Sequence, residues 1–466
     1  MHVHQKRFFP FVHGAPNIHA LRLRPAQSSV LVTTDRSVQE LRFDTSTSAY
    51  MLDDVEFLDS DSAAQGIDVI ASGIIECPGR ERIVIAYAEV SGDDEDADGV
   101  KRDAPGDATA GAIANGEIPD KLFLSVVDHT AANPSTKKPR AASTDAAHAS
   151  TAAIRFELVA APTVITSVRA TSLGSGTAPS VFHGVILFRM ESMVAIGFVD
   201  EPNAPPSQQC VRLSNEQFAT FFPELAQFNH PVLTVDVLHQ PHDDRGWFAL
   251  GCADGVIRIF AGSLQDKIIV GPHDEREIHV DGPVMSVSLF STVRSLAMGM
   301  LFPHSNWTYH RDGRRVCNLL AGCAIGRAIV FEDVFGLPKS EPVRRELLPG
   351  SDHFDSIFSV LAADIDLDGH TELLVGTDDQ MLLAYKRPAS SDDKKPQWQL
   401  LRHDEWEMRV FGGVYSLEMI DLNHDGVKEL LIASSTGVYV YEADPARVIS
   451  RLGAMLRGAS VEASSP

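Results

Sequence analysis

Along most of this chain the apolar residues fall in short β-branched runs that stop at Gly or Asp-Gly turns, and they do not recur at the spacing of a helix face. Such runs read as strands, because these turns supply the positive-φ positions that tight hairpins require. Four stretches repeat one order of strand, polar loop, strand, turn and strand. They are "VLTVDVLHQPHDDRGWFALGCADGVIRIF" from Val232, "VMSVSLF" from Val284 resuming as "NLLAGCAIGRAIVF", "IFSVLAADIDLDGHTELLVGTDDQMLLAYK" from Ile357, and "VYSLEMIDLNHDGVKELLIASSTGVYVYE" from Val414. Val235, Val287, Val360 and Leu417 fall into register. Three fainter copies precede them: "NIHALRLRP" with "SSVLVTTDRSVQELRF", "IDVIASGII" with "RIVIAYAEV", and "VITSVRATSL" with "HGVILFRMESMVAIGFV". Units of roughly 40 to 60 residues carrying several short strands each mark propeller blades. The pattern therefore predicts an all-β fold, a seven-bladed β-propeller over residues 1–442 with a short C-terminal helix. Two smaller β domains split near residue 205 are the competing arrangement, and the repeat running across that point weighs against them.

Two stretches interrupt the repeat. Residues 91–119 and 129–153 are poor in large apolar side chains and rich in Asp, Ala, Thr and Pro. They bury too little surface to offset the entropy of ordering, so both are expected to be disordered excursions from the second blade. The "KKPR" run at Lys137–Arg140 reads as part of a solvated loop. At the other end, "DPARVISRLGAMLRGA" changes to a helical period: Asp444 is the N-cap, Pro445 opens the first turn, and Val448, Ile449, Leu452, Met455 and Leu456 share a face. Arg447, Arg451 and Arg457 make it basic. Residues 443–466 are thus expected to form an amphipathic helix and tail, packed on the propeller rim or offered to a partner's groove.

Composition narrows the function classes. Of 466 residues, 44% are apolar, enough for a packed core, yet no run approaches the roughly 18 apolar residues of a membrane helix, so membrane insertion is not expected. The net charge of −23, from 63 acidic against 40 basic residues, opposes the counterion release that drives nucleic-acid binding. "MHVHQKRFFPFVHGAP" at the amino terminus lacks the apolar core of a signal peptide, so secretion is not expected and the sequon at Asn306 would go unused. Cys77, Cys210, Cys252, Cys317 and Cys323 are odd in number and unpaired in spacing, which fits free thiols in a reducing compartment rather than disulfides or zinc.

Two loops carry metal-like chemistry. Asp364, Asp366 and Asp368 alternate before Gly369, and Glu372 follows; the second copy has Asp421, Asn423, Asp425 and Glu429. Alternating oxygens beside a glycine bend can converge on one centre, and calcium takes six to eight hard oxygens. The spacing differs from an EF-hand and resembles the D-x-D-x-D-G loops of FG-GAP repeats in integrin-alpha-type propellers. An amide in place of a carboxylate makes the second copy the weaker expected site. The same residues also make plain hairpin turns by accepting from nearby backbone N–H groups, so both readings stand. Either way the role is structural, and no cofactor beyond structural calcium is expected.

No GxSxG, GxxxxGK[ST], GxGxxG or HExxH motif occurs, and nothing nominates a nucleophile, so the chain reads as non-enzymatic. Cys252 and Cys323 sit at matching places in "ALGCADG" and "LAGCAIG", a small buried repeat position rather than a reactive thiol.

"FFPEL" at Phe221–Leu225, "ALGCADGVIRI" at Ala249–Ile259, "LLPGSDHFDS" at Leu347–Ser356 and the two aspartate loops, in this order, resemble the kaptin family. The resemblance runs from about Phe221 to Glu442; the first three blades rest on periodicity alone. It implies a scaffold subunit of a KICSTOR complex that holds the GATOR complex at the lysosomal surface and restrains TOR signalling when amino acids or glucose are scarce. It also implies, as an alternative, an actin-filament-binding protein at actin-rich cell edges. The expected partners are thus proteins, other KICSTOR subunits and GATOR or else actin filaments, and the expected location is cytoplasmic, peripheral on the lysosomal membrane.

Overall fold

The structure, a computed structural model, describes residues 3–11, 16–24, 27–58, 66–77, 80–90, 121–128, 154–172, 180–189, 195–200, 210–222, 225, 228–239, 245–265, 268–291, 316–336, 338–388, 397–401, 410–446, 448–450 and 453. Both expected insertions, 91–119 and 129–153, and the tail beyond residue 453 lie outside them.

The β-branched runs pair into seven four-stranded antiparallel sheets. The first is Pro16–Arg24, Ser29–Thr34, Val38–Asp44 and Ala49–Asp54. The second is Gly66–Cys77, Arg80–Val90, Lys121–Asp128 and Ile154–Leu158. The third is Pro162–Ser172, Ser180–Arg189, Ala195–Asp200 and Cys210–Arg212. Val232–His239, Arg245–Cys252, Val256–Gln265 and Ile268–His279 form the fourth. Val284–Ser291, Cys317–Cys323, Ala328–Glu332 and Arg344–Leu347 form the fifth. Ile357–Ala363, Glu372–Thr377, Leu382–Lys386 and Gln399–Leu400 form the sixth. In the seventh, Val414–Ile420, Glu429–Ser434 and Gly437–Ala443 are joined by Val3–Pro10 from the other end of the chain. The innermost strands touch in chain order from Pro16–Arg24 to Val414–Ile420, which touches Pro16–Arg24 again. This is the all-β propeller that the repeat predicts. The hydrophobic pattern assigns no strand to Val3–Pro10, because a closing strand has no copy in its own neighbourhood.

Near residue 205 the core is continuous. Helix α1 (Asn215–Phe221) is capped by Ser214, whose Oγ accepts from Gln217 N at 3.2 Å while Gln217 Oε1 accepts from Ser214 N at 2.9 Å. Its Phe218, with Phe222, joins Ile186 and Phe188 of the third sheet to Phe248 and Phe260 of the fourth in one cluster.

Sheet-to-sheet contact follows one rule from the fourth sheet onward. The innermost strand bulges after its first residue, between Val284 and Ser286, Ile357 and Ser359, and Val414 and Ser416. The leading residue is pushed against a glycine in the preceding sheet: a Cβ on Gly251 would lie 2.7 Å from Val284 Cγ1, on Gly322 2.5 Å from Ile357 Cγ2, and on Gly376 2.4 Å from Val414 Cγ1. Val284, Ile357 and Val414 are each fully buried. Between the first and second sheets a buried ionic cluster adds to this: Arg24, with no exposure, pairs with Glu40 and donates from Nε to Glu81 Oε2 at 3.0 Å.

Gly322→Val should therefore lower unfolding free energy by about 1–3 kcal/mol through overpacking. Gly369→Asn, at a positive φ of 83° where an added Cβ would meet no atom within 4 Å, should cost less, under about 1 kcal/mol, as Asn tolerates that region better than other side chains. Denaturant melts of both variants check this; equal losses would refute the nesting role of Gly322.

Candidate functional site

In each sheet the connection from first to second strand, and in the first six that from third to fourth, lies at one end, and the remaining turns and the linkers to the next sheet lie at the other. The two aspartate loops thus share one face. Each begins where an innermost strand ends and turns through a left-handed residue and then a glycine: Leu367 (φ 57°) and Gly369, His424 (φ 62°) and Gly426 (φ 87°).

The shared frame is built by the carboxylates themselves. In the sixth sheet Asp364 accepts from Asp368 N and Gly369 N, both at 2.9 Å, and Asp368 Oδ1 from His370 N at 2.8 Å. Fully buried Glu372 accepts from Ile365 N at 2.9 Å. In the seventh sheet Asp421 Oδ2 accepts from Gly426 N at 3.0 Å, Asn423 Oδ1 from Asp425 N at 2.9 Å, Asp425 Oδ1 from Val427 N at 2.8 Å, and Glu429 Oε2 from Leu422 N at 2.7 Å. One oxygen from each of Asp364, Asp366 and Glu372, and one from each of Asp421, Asp425 and Glu429, lie within 4.8 Å of one another. Of the expected residues, Asp368 falls outside the first of these groups and Asn423 outside the second.

The centres differ. Lys386, which closes the third strand of the sixth sheet, places Nζ 2.7 Å from Asp366 Oδ2, 2.6 Å from Asp368 Oδ2 and 2.8 Å from Glu372 Oε1. Its ammonium stands where a bound cation would stand. Burial pulls its pKa down, but the Glu372 charge and the bonds to Asp366 and Asp368 outweigh burial and raise it, so it stays charged. The seventh sheet has no such lysine: in register, Tyr385 opposite Leu373 matches Tyr441 opposite Leu430, so Glu442 holds the place of Lys386. Glu442 Oε1 accepts from Tyr50 Oη at 2.6 Å. Asp421 Oδ1 is buried with no hydrogen-bond partner, and burial, with Asp425 and Asp421 nearby, pushes the Glu429 carboxyl up to about 7. The loop motif alone does not reveal Lys386; the signal is the cation ending the apolar run "LLAYK" one strand away.

Other expected positions resolve simply. Cys252 and Cys323 are fully buried and held up to about 12 and about 11 mainly by burial, as a small structural repeat position requires. The tail starts as expected, with Asp444 Oδ1 accepting from Ala446 N at 2.9 Å and Val448 N donating to Asp444 O at 3.0 Å. Of its apolar side, Ile449 is 69% exposed and Val448 half-buried, while Leu452, Met455 and Leu456 lie outside the described residues. No described helix is long and apolar enough to cross a membrane. On the face opposite the aspartate loops, Phe411 in the linker to the seventh sheet is 67% exposed and Ile325 in a turn of the fifth is 49% exposed.

A sequence model described as "KICSTOR complex protein kaptin" matches residues 206–453. The chain is 31% identical over 221 residues to the KICSTOR complex protein kaptin of Mus musculus, an alignment covering 47% of this chain and 46% of that protein. The chain thus spans about half the length of that curated relative. Among solved structures, BBS1N in complex with ARL6DN aligns with 8% identity over 95% of this chain and 97% of the other, at a TM-score of 0.44. The Cps50 (Swd1) β-propeller domain of Myceliophteria thermophila aligns with 10% identity over 95% and 100%, at 0.40.

Replacing Lys386 tests the sixth-sheet centre. Lys386→Met should lower stability by about 1–3 kcal/mol at neutral pH, a range discounted for the partial exposure of the lysine. Without the ammonium, the clustered carboxyls titrate above their unfolded values, so the deficit should shrink as pH falls toward about 5 and grow as it rises. Thermal melts across that range check this; a deficit independent of pH would refute the electrostatic account.

Proposed function

This chain belongs to the kaptin family, and we propose that it is a non-enzymatic scaffold subunit of a KICSTOR-type complex. The match over residues 206–453 carries this reading, because it spans the fourth to sixth sheets and three strands of the seventh, with both aspartate loops. In this reading the seven sheets are seven blades of one rigid ring whose faces hold protein partners: other KICSTOR subunits and, through them, the GATOR complex. The complex sits at the lysosomal surface and restrains TOR signalling when amino acids or glucose are scarce. Exposed Phe411 and Ile325 support an apolar contact, since interfaces burying about 1,200 to 2,000 Å² concentrate their energy in a few such anchors. An acidic filament such as actin meets a chain of net charge −23, which weighs against the cytoskeletal alternative.

Affinity capture of the full chain from starved cells, followed by mass spectrometry, tests this. KICSTOR subunits should be recovered, and Phe411→Ala should cut their recovery severalfold while leaving the melting transition in place. Actin as the dominant partner, with no KICSTOR subunit, would overturn the scaffold reading.

We further propose that the seventh-sheet loop holds the structural calcium. Asp421, Asn423, Asp425 and Glu429 provide hard oxygens, and the orphaned Asp421 Oδ1 fits a cation. Lys386 supplies the positive charge for Asp364, Asp366, Asp368 and Glu372, which reverses the order expected from counting carboxylates. Millimolar calcium should raise the melting temperature through binding to the native state, and Asp421→Asn should remove most of that rise. No rise would leave both loops as plain turns.

A further inference from the structure

The propeller axis holds a cavity of about 110 Å³, roughly the liquid volume of four waters. Its wall contains charges that the scaffold reading does not use. Strand register places Arg22, Asp236, Ser288, Leu361 and Glu418 at one level, opposite Leu31, Ala249, Leu320, Leu374 and Leu431 of their second strands. One level closer to the linker face, Thr234, Ser286, Ser359 and Ser416 line the same space, and above them the rings of Phe358 and Tyr415 stack at 5.1 Å. The first and seventh sheets are neighbours in the ring, so Arg22 and Glu418 sit side by side on the wall.

Their bonding is incomplete. Asp236 is satisfied by the backbone, with Oδ1 accepting from Val237 N at 2.8 Å and Oδ2 from Leu289 N at 2.6 Å. Arg22 has only two long contacts, Nε to Ser72 O and Nη1 to Leu21 O, both 3.4 Å. Among the described residues the Glu418 side chain makes no hydrogen bond, and no ion pair joins it to Arg22 within 4.0 Å. Burial lowers Arg22 to about 10 and pushes Glu418 up to about 7, although each is favoured by the other's charge. Both side chains are half-buried on the wall, adjacent yet not ion-paired, so hydrogen-bonding capacity on each remains open to whatever occupies the space.

We propose that this axial cavity binds a small zwitterion, its carboxylate on the Arg22 guanidinium and its ammonium on the Glu418 carboxylate. The fork of Arg22 suits a bidentate carboxylate, and the hydroxyls of Ser286, Ser288 and Ser416 complete the ammonium shell. The volume admits a ligand of the size of glycine or β-alanine, and Leu361 and the Phe358–Tyr415 stack restrict anything larger. Water filling the channel would satisfy the same groups individually, but would show no preference for a solute that carries both charges.

Isothermal titration of the full chain with glycine, β-alanine and γ-aminobutyrate, and with acetate and methylammonium as single-charge controls, reads the proposal. One saturable site for a zwitterion is expected, with each single-charge control at least tenfold weaker. Glu418→Gln and Arg22→Gln should each weaken binding at least tenfold. Leu361→Phe, which leaves both charges in place but fills the cavity, should abolish it. Saturation-transfer NMR on the unaltered chain, in which irradiating the protein's aromatic protons should attenuate the methylene signal of the exchanging ligand, needs no variant to fold. Absence of both heat and transfer on the folded chain, or binding unchanged by Leu361→Phe, overturns the inference.

Discussion

The nesting of a β-branched residue into the preceding sheet's glycine is the contact on which the ring depends. A propeller sheet has two faces to cover and only its neighbours to cover them, so the spacing between sheets sets how much apolar surface is buried. Val284 over Gly251, Ile357 over Gly322 and Val414 over Gly376 bring successive sheets together at the narrow inner end. The bulge just after each leading residue turns it toward the previous sheet without disturbing the rest of the ladder. Closure completes the arrangement: Val3–Pro10 joins Gly437–Ala443, so the two chain ends share a sheet and none is left without neighbours on both sides.

That geometry also decides where charge is tolerated. The innermost strands cannot meet at the axis, and the space left there admits Arg22, Asp236 and Glu418 beside the hydroxyls of Thr234, Ser286, Ser359 and Ser416. Where two of the same strands end, Ile357–Ala363 and Val414–Ile420, the aspartate loops gather carboxylates at the sheet margin. There the structure uses a neighbouring strand to set the balance: a lysine at the end of the sixth sheet's third strand, a glutamate at the matching place in the seventh. Two loops that share a backbone frame therefore differ in electrostatics at two places, Asp366 against Asn423 within the motif and Lys386 against Glu442 outside it.

Taken with family membership, these features describe a rigid ring with one acidic loop-bearing face, a second face carrying exposed Phe411 and Ile325, and a polar axial space. A rigid ring with separate faces suits a protein that holds others in fixed relation, because little ordering entropy remains to be lost on binding. The fold alone does not assign partners.

Much of this is local and therefore legible in the residues. Period-two runs with Gly and Asp-Gly turns specify strands and hairpins, their recurrence specifies a propeller, and the two D-x-[DN]-x-D-G loops, the buried cysteine position and the Asp444 cap each rest on neighbours within a few residues in the chain. What the tertiary structure decided involves partners far apart in sequence. Val3–Pro10 is a strand only because Gly437–Ala443 has an open edge for it. Arg22 and Glu418 become neighbours on the axial wall only when the ring closes. Lys386 and Glu442 distinguish two loops that read alike, because hydrogen bonding across the sheet, not spacing along the chain, sets which charge reaches each centre.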